Sequence, residues 1–109
     1  MNYKPLPSYL SIGPSDIDGA GLIATEDIPA GIEIGITHIY DPNFEDDSIR
    51  TPLGGFINHS DNPNCELVQD EDDMDNTKLK TLRRINAMEE LTCKYTKQNP
   101  IKGYKNKDI

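Results

Sequence analysis

The chain has 109 residues, a formal net charge of −8, a hydrophobic fraction of 35% and no tryptophan. A chain of this length supports one domain with a modest core, burying roughly two-thirds of its unfolded surface. No apolar run approaches the roughly 18 residues that span a bilayer, and the start MNYKPLPSYL lacks the apolar stretch of a signal peptide, so a soluble, intracellular protein is expected.

The charge is unevenly placed. Residues 1–77 hold sixteen acidic side chains against two basic ones, while residues 78–109 hold three against nine, giving −14 and +6. Such a surface disfavours a nucleic-acid backbone as the main partner and favours a basic protein. Solubility alone would also account for it. The two cysteines, Cys65 and Cys93, are expected as free thiols, and neither is spaced for a metal knuckle.

In chain order, Tyr9-Leu10-Ser11-Ile12 alternates weakly and predicts a short strand. Gly13-Pro14 and Asp18-Gly19 break the chain, and Leu22-Ile23-Ala24-Thr25 predicts a second strand. Ile32, Ile34 and Ile36 alternate with Glu33, Gly35 and Thr37, the clearest period-two strand in the sequence. From Asp41 to Pro52 the pattern dissolves, with Phe44 and Ile49 as the apolar anchors, and reads as a long loop or a single helical turn.

Residues 54–65, GGFINHSDNPNC, fit neither helix nor strand and read as a loop, either solvated or built to hold something. Cys65-Glu66-Leu67-Val68 predicts another strand, followed by a charge run containing DEDDMD. A calcium loop would want a central Gly and a terminal Glu, so a solvated hairpin tip is the expectation. Leu79, Leu82, Ile85, Met88 and Leu91 recur every third residue, which suits an irregular helix or a twisted strand, and propensity leans to helix.

One internal echo opposes that lean. Ile28-Pro-Ala-Gly-Ile-Glu-Ile34 and Ile85-Asn-Ala-Met-Glu-Glu-Leu91 match in several positions, which predicts two similar turns feeding two strands and tips residues 89–93 toward strand. From Thr96 the chain is polar and lysine-rich, with Ile101 and Tyr104 as the side chains able to dock.

Four stretches together resemble the SET domain of protein lysine methyltransferases. Gly19-Ala20-Gly21-Leu22-Ile23-Ala24 is similar to the family's Gly-x-Gly turn, and Asp27-Ile28-Pro29-Ala30-Gly31-Ile32-Glu33-Ile34 to the lead-in of its next strand. Phe56-Ile57-Asn58-His59-Ser60-Asp61-Asn62-Pro63-Asn64-Cys65 is closely similar to its Asn-His-Ser signature, and Glu89-Glu90-Leu91-Thr92-Cys93-Lys94-Tyr95 to its Glu-Glu-Leu-Thr-x-Asp-Tyr motif. The first stretch alone would carry little weight; the last two, in this order, are specific.

The resemblance implies a mainly β, SET-domain (β-clip) fold of small curved sheets with a pseudoknot-like C-terminal crossing, and makes residues 78–85 a strand. It implies a single domain over residues 1–109, with a core at about 10–96 and a short polar tail at 97–109. It implies S-adenosylmethionine as methyl donor and S-adenosylhomocysteine as product. The matching catalytic positions are Tyr95 and, by looser alignment, Tyr40. The matching cofactor-binding positions are Gly19, Ala20, Gly21, Asn58, His59 and Tyr95, with Tyr104 of the tail offered for adenine packing; no metal is expected.

The chemistry implied is demanding in one respect. A lysine amine is protonated at pH 7, and making it neutral costs roughly 4–5 kcal/mol in water. A narrow apolar channel lowers that pKa by desolvation, and tyrosine hydroxyls suit its walls. Taken singly, Asn58 and Ser60 would satisfy a turn, Tyr95 would serve the core, and His59 would be structural.

Three departures from the family pattern stand out: Lys94 for Asp, Met88 for Gly and Asp61 for Cys. The chain resembles the minimal stand-alone SET proteins of viruses, phages and bacteria, which implies host cytoplasm for a viral or phage protein. The implied partner is a lysine-containing, basic protein, with no direct nucleic acid, no membrane, and a homodimer allowed for. The alternative is a catalytically inactive SET-like module that binds a peptide or the cofactor, ahead of a plain structural β domain.

Overall fold

The computed structural model describes residues 6–44 and 47–94. In order these form β1 (Leu10–Pro14), β2 (Ala20–Ala24), β3 (Glu33–Tyr40), β4 (Ser48–Arg50), α1 (Pro52–Phe56), β5 (Asn58–His59), β6 (Cys65–Gln69), β7 (Asn76–Thr81) and β8 (Glu90–Cys93). They make two small sheets, ordered β1-β2-β8-β5 and β4-β3-β7-β6. Every pairing is antiparallel except β5 with β8, which run parallel. The mainly β architecture of small sheets is the one the resemblance implied.

A single apolar cluster joins the two sheets. Leu22, Leu79, Ile85 and Leu91 are wholly excluded from solvent, and Leu10, Ile28, Ile34, Leu53, Ile57 and Leu67 pack around them. β7 alternates strictly, burying Thr77, Leu79 and Thr81 and exposing the residues between them more. The helical lean over residues 78–91 is therefore wrong. A helix would bury Leu82 and Met88, yet both face solvent, because a turn separates β7 from β8. That turn begins after Thr81, so the strand implied for 78–85 stops four residues early.

The echo between residues 28–34 and 85–91 has a structural counterpart. Ile28 and Ile85 exchange both backbone hydrogen bonds at 2.8 Å. Gly31 N–H donates to Thr81 O as Met88 N–H donates to Ala24 O, and Thr81 N–H donates to Ile32 O as Ala24 N–H donates to Glu89 O. In register, Glu33 faces Lys80 as Ile23 faces Glu90. A local two-fold axis thus passes between Ile28 and Ile85. Gly31 and Met88 occupy equivalent left-handed positions, with φ of 76° and 75°. The Met88 side chain is tolerated there because it is 78% exposed.

Residues 54–56 lie in α1, where the sequence reading expected loop. Two glycines weaken a helix by about 1 kcal/mol each, but three local features outweigh that. Thr51 caps the helix by accepting from Gly54 N–H, Pro52 opens the first turn, and Thr51 Oγ1 anchors the start by donating to Ile36 O at 2.6 Å. Gly54 is also required for packing, since a Cβ there would collide with the Thr37 carbonyl of β3.

Beneath α1 lies His38, 3% exposed. Thr37 Oγ1 donates to Thr77 O, so the proton between His38 Nδ1 and Thr37 Oγ1, 2.9 Å apart, belongs to the imidazole. Burial, reinforced by Arg50, lowers the His38 pKa to about 4. The acidic tip at residues 70–75 joins β6 to β7, with Asp70 and Asp73 side chains accepting from the Asp72 and Asp75 amides.

Two predictions follow from these positions. Met88→Gly removes a left-handed strain of about 1–2 kcal/mol against a smaller entropic loss, so urea unfolding should show a net gain of about 0.5–1 kcal/mol. For His38, the unfolded state binds more protons between pH 6.5 and about 4. Its contribution is therefore intact above pH 6.5 and lost as pH falls through that window, by about 3 kcal/mol. Unfolding curves of the native chain and of His38→Gln should diverge across that pH range and in that sense.

Candidate active site

The site is built where the C-terminal strand is threaded. β8 is paired on one side with β2, through Leu22 with Leu91 and Ile23 with Glu90, and with β5 through Asn58 with Thr92 and His59 with Cys93. Ser60 N–H continues the parallel pairing by donating to Cys93 O at 2.9 Å. Asn64 then returns to the same strand: its Oδ1 accepts from Thr92 N–H at 2.9 Å and its Nδ2 donates to Glu90 O at 2.8 Å. This is the donor and acceptor couple that a neighbouring peptide group would supply. Segment 58–65 thus grips β8 at both its ends, the crossing that the resemblance implied.

The crossing delivers Asn58 to the β1–β2 turn. Asn58 Nδ2 lies 3.2 Å from Ala20 O, 3.3 Å from Asp18 O, 3.1 Å from Ser15 Oγ and 2.9 Å from Glu90 Oε2. Gly21 is buried against this cluster, and a Cβ there would collide with the Glu90 carboxylate and crowd Asn58. A side chain at 21 would push the Glu90 carboxylate away from Asn58. Gly19, with φ of 50°, and Ala20 form the exposed tip of the turn.

Of the predicted residues, the structure therefore brings together Gly19, Ala20, Gly21 and Asn58. His59 is next to them through the backbone pairing of β5, while its ring faces solvent and lies 3.1 Å from Asp61 Oδ1. Tyr40 ends β3 in the other sheet, where its N–H donates to Asp75 O at 2.7 Å. Tyr95 and Tyr104 lie outside the described residues. Lys94, the last residue described, is exposed.

Three residues carry the geometry without having been singled out in the sequence: Ser15, Asn64 and Glu90. Ser15 was legible as a hydroxyl opening a turn, Ser-Asp-Ile-Asp-Gly. Asn64 and Glu90 stood inside the quoted motifs, but only tertiary structure gives them partners. Behind the site, Cys65 and Cys93 are buried and not joined in a disulfide, and burial, with Cys93 nearby, pushes the Cys65 thiol up to about 12. Among the described residues no group of three or more His, Cys, Asp or Glu side chains is disposed to hold a metal ion.

The family model of the SET domain matches residues 36–96, more than half of the chain. The match takes in Tyr40, Asn58, His59 and Tyr95 and leaves the Gly19–Gly21 turn outside it. The crystal structure of a Plasmodium falciparum "putative histone methyltransferase" has a similar fold, with a TM-score of 0.62 at 21% identity over 85% of this chain and 97% of that one. None of the curated proteins matches. The chain belongs to the SET-domain family, a family of lysine methyltransferases.

The crossing makes a sharp energetic prediction. Asn64→Ala takes the Asn64 partner from the buried Thr92 N–H and from the part-buried Glu90 carbonyl, at about 1–3 kcal/mol for each group. Denaturant unfolding should show a loss of about 3 kcal/mol, whereas Asn62→Ala, at an exposed position in the same loop, should change stability by less than about 0.5 kcal/mol.

Proposed function

We propose that this protein is an S-adenosylmethionine-dependent lysine N-methyltransferase acting on a basic protein. The observation that carries the reading is the juxtaposition of the Asn58 side chain with the Gly19–Gly21 turn, 3.2 Å apart at Ala20 O, at the crossing with β8. Family membership supplies the reaction class, and the Asn58 cluster supplies groups suited to the amino-acid end of the donor. These are an exposed backbone tip at Gly19 and Ala20, and an amide side chain with an oxygen to offer.

When bound, the donor supplies an electrophilic methyl on a cationic sulfur. The chain's own tasks are then to align, to exclude water and to let a lysine lose its proton. The Gly19–Gly21 backbone and Asn58 orient the donor, with the His59 backbone beside them. Tyr95, two residues beyond the end of β8, is assigned to the amine channel, where its phenol orients the neutral amine by hydrogen bonding. Holding nucleophile and methyl carbon near contact and in line contributes several kcal/mol to lowering the barrier. Tyr40, at the end of β3, is the second tyrosine assigned to the amine channel, by the looser match.

The exposed acids of the β6–β7 tip, Glu71, Asp72 and Asp73, together with the −14 carried by residues 1–77, support a basic substrate. The test is transfer of labelled methyl from S-adenosylmethionine into a lysine-rich protein extract. The expected result is incorporation by the native chain and a loss of about a hundredfold in Tyr95→Phe. Binding of the donor without transfer in either protein would replace this reading with that of a binding module.

A further inference from the structure

Ser15 Oγ is the hub of the Asn58 cluster. Its proton is shared between Glu90 Oε1 and Oε2 at 2.8 and 2.9 Å. On its acceptor side stand Ile17 N–H at 2.9 Å, Asp18 N–H at 3.2 Å and Asn58 Nδ2 at 3.1 Å. The two backbone donors fold the turn that leads into Gly19, and the third bond ties that turn to the crossing. Glu90 closes the triangle by accepting from Asn58 Nδ2 at 2.9 Å.

This arrangement decides which way the Asn58 amide faces. A carboxylate only accepts, so the nitrogen of the amide must turn toward Glu90. Four acceptors, Glu90 Oε2, Ser15 Oγ, Ala20 O and Asp18 O, crowd a nitrogen that has two protons to give. Turned over, the amide would set its oxygen against a carboxylate and two carbonyls. Asn58 is left with Oδ1 to offer, and no described residue is bonded to that atom.

We propose that Ser15 and Glu90 are positioning residues that lock Asn58 with its nitrogen inward and Oδ1 presented as an acceptor for a charged amine. The proposal rests on the reading of the Asn58 cluster as a donor site, since S-adenosylmethionine and S-adenosylhomocysteine both carry an α-amino group. Ser15 acts through Glu90 and Asn58 and touches no reacting atom. Its hydroxyl is needed as a donor, which Ser15→Ala removes and Ser15→Thr retains. Glu90→Gln offers a nitrogen of its own to the same place and so frees the Asn58 amide to turn over.

The experiment is calorimetric titration of the full chain with S-adenosylhomocysteine, at a temperature where circular dichroism shows each unliganded variant to be folded. Ser15→Ala and Glu90→Gln should each raise the Kd about tenfold, the scale of one hydrogen bond lost at a ligand-facing group. Ser15→Thr should stay within about threefold of the native value. Unchanged affinity in Ser15→Ala or in Glu90→Gln would overturn the proposal, even if their Tm fell, since a purely structural role moves Tm alone. Equal weakening in Ser15→Ala and Ser15→Thr would overturn the role of the hydroxyl. No binding by the native chain would instead overturn the donor-site reading on which this one is built.

Discussion

The structure depends on how one four-residue strand is held. β8 is gripped by β2, by β5 and by the Asn64 side chain, and these contacts come from segments far apart in sequence. Each is short, and β5 has two residues. Their joint effect comes from burial: Leu91 and Cys93 are fully excluded from solvent, so the polar backbone of β8 must be paired within the protein, and β2, β5 and Asn64 pair it. An unpaired amide in that position would cost about as much as a hydrogen bond lost in a core.

From this constraint the site follows. Because β5 is fixed parallel to β8, Asn58 stands opposite Thr92, two residues from Glu90, and both side chains reach the β1–β2 turn. Because β8 pairs with β2, the same strand sets the distance between Glu90 and Gly21. The Asn58 cluster is therefore placed by the strand topology. The local two-fold axis through Ile28 and Ile85 adds rigidity, since both turns that flank the core are tied to each other by reciprocal backbone bonds. Two ion pairs, Arg83 with Glu89 and Arg84 with Asp27, brace the second turn from its exposed side.

Much of this was legible in the residues, and the rest was not for identifiable reasons. The alternation of Ile32, Ile34 and Ile36 gave β3, but its two register shifts, after Glu33 and after Ile36, break the alternation, so Thr37 and His38 are both buried. Such irregularities depend on partners and leave little trace in local pattern. The threefold spacing of Leu79 to Leu91 misled because Leu82 and Met88 are exposed, and exposure of an apolar residue has no signature in sequence. α1 was missed because two glycines mask a helix whose cap, Thr51, is anchored by β3. The Asn-His-Ser motif pointed to the crossing through resemblance. The link from Ser15 to the crossing stayed hidden because its partner Glu90 is 75 residues away.

The central claim is that the crossing lays Asn58 on the Gly19–Gly21 turn in the free protein. Nuclear Overhauser contacts of the Asn58 side-chain amide test it most directly. The account predicts cross-peaks from those two protons to the Gly21 Cα protons and the Ser15 Cβ protons, together with slow exchange of the Thr92 amide. A side-chain amide of Asn58 showing neither contact, with a Thr92 amide exchanging as fast as those of the exposed Glu71–Asp73 tip, would contradict it.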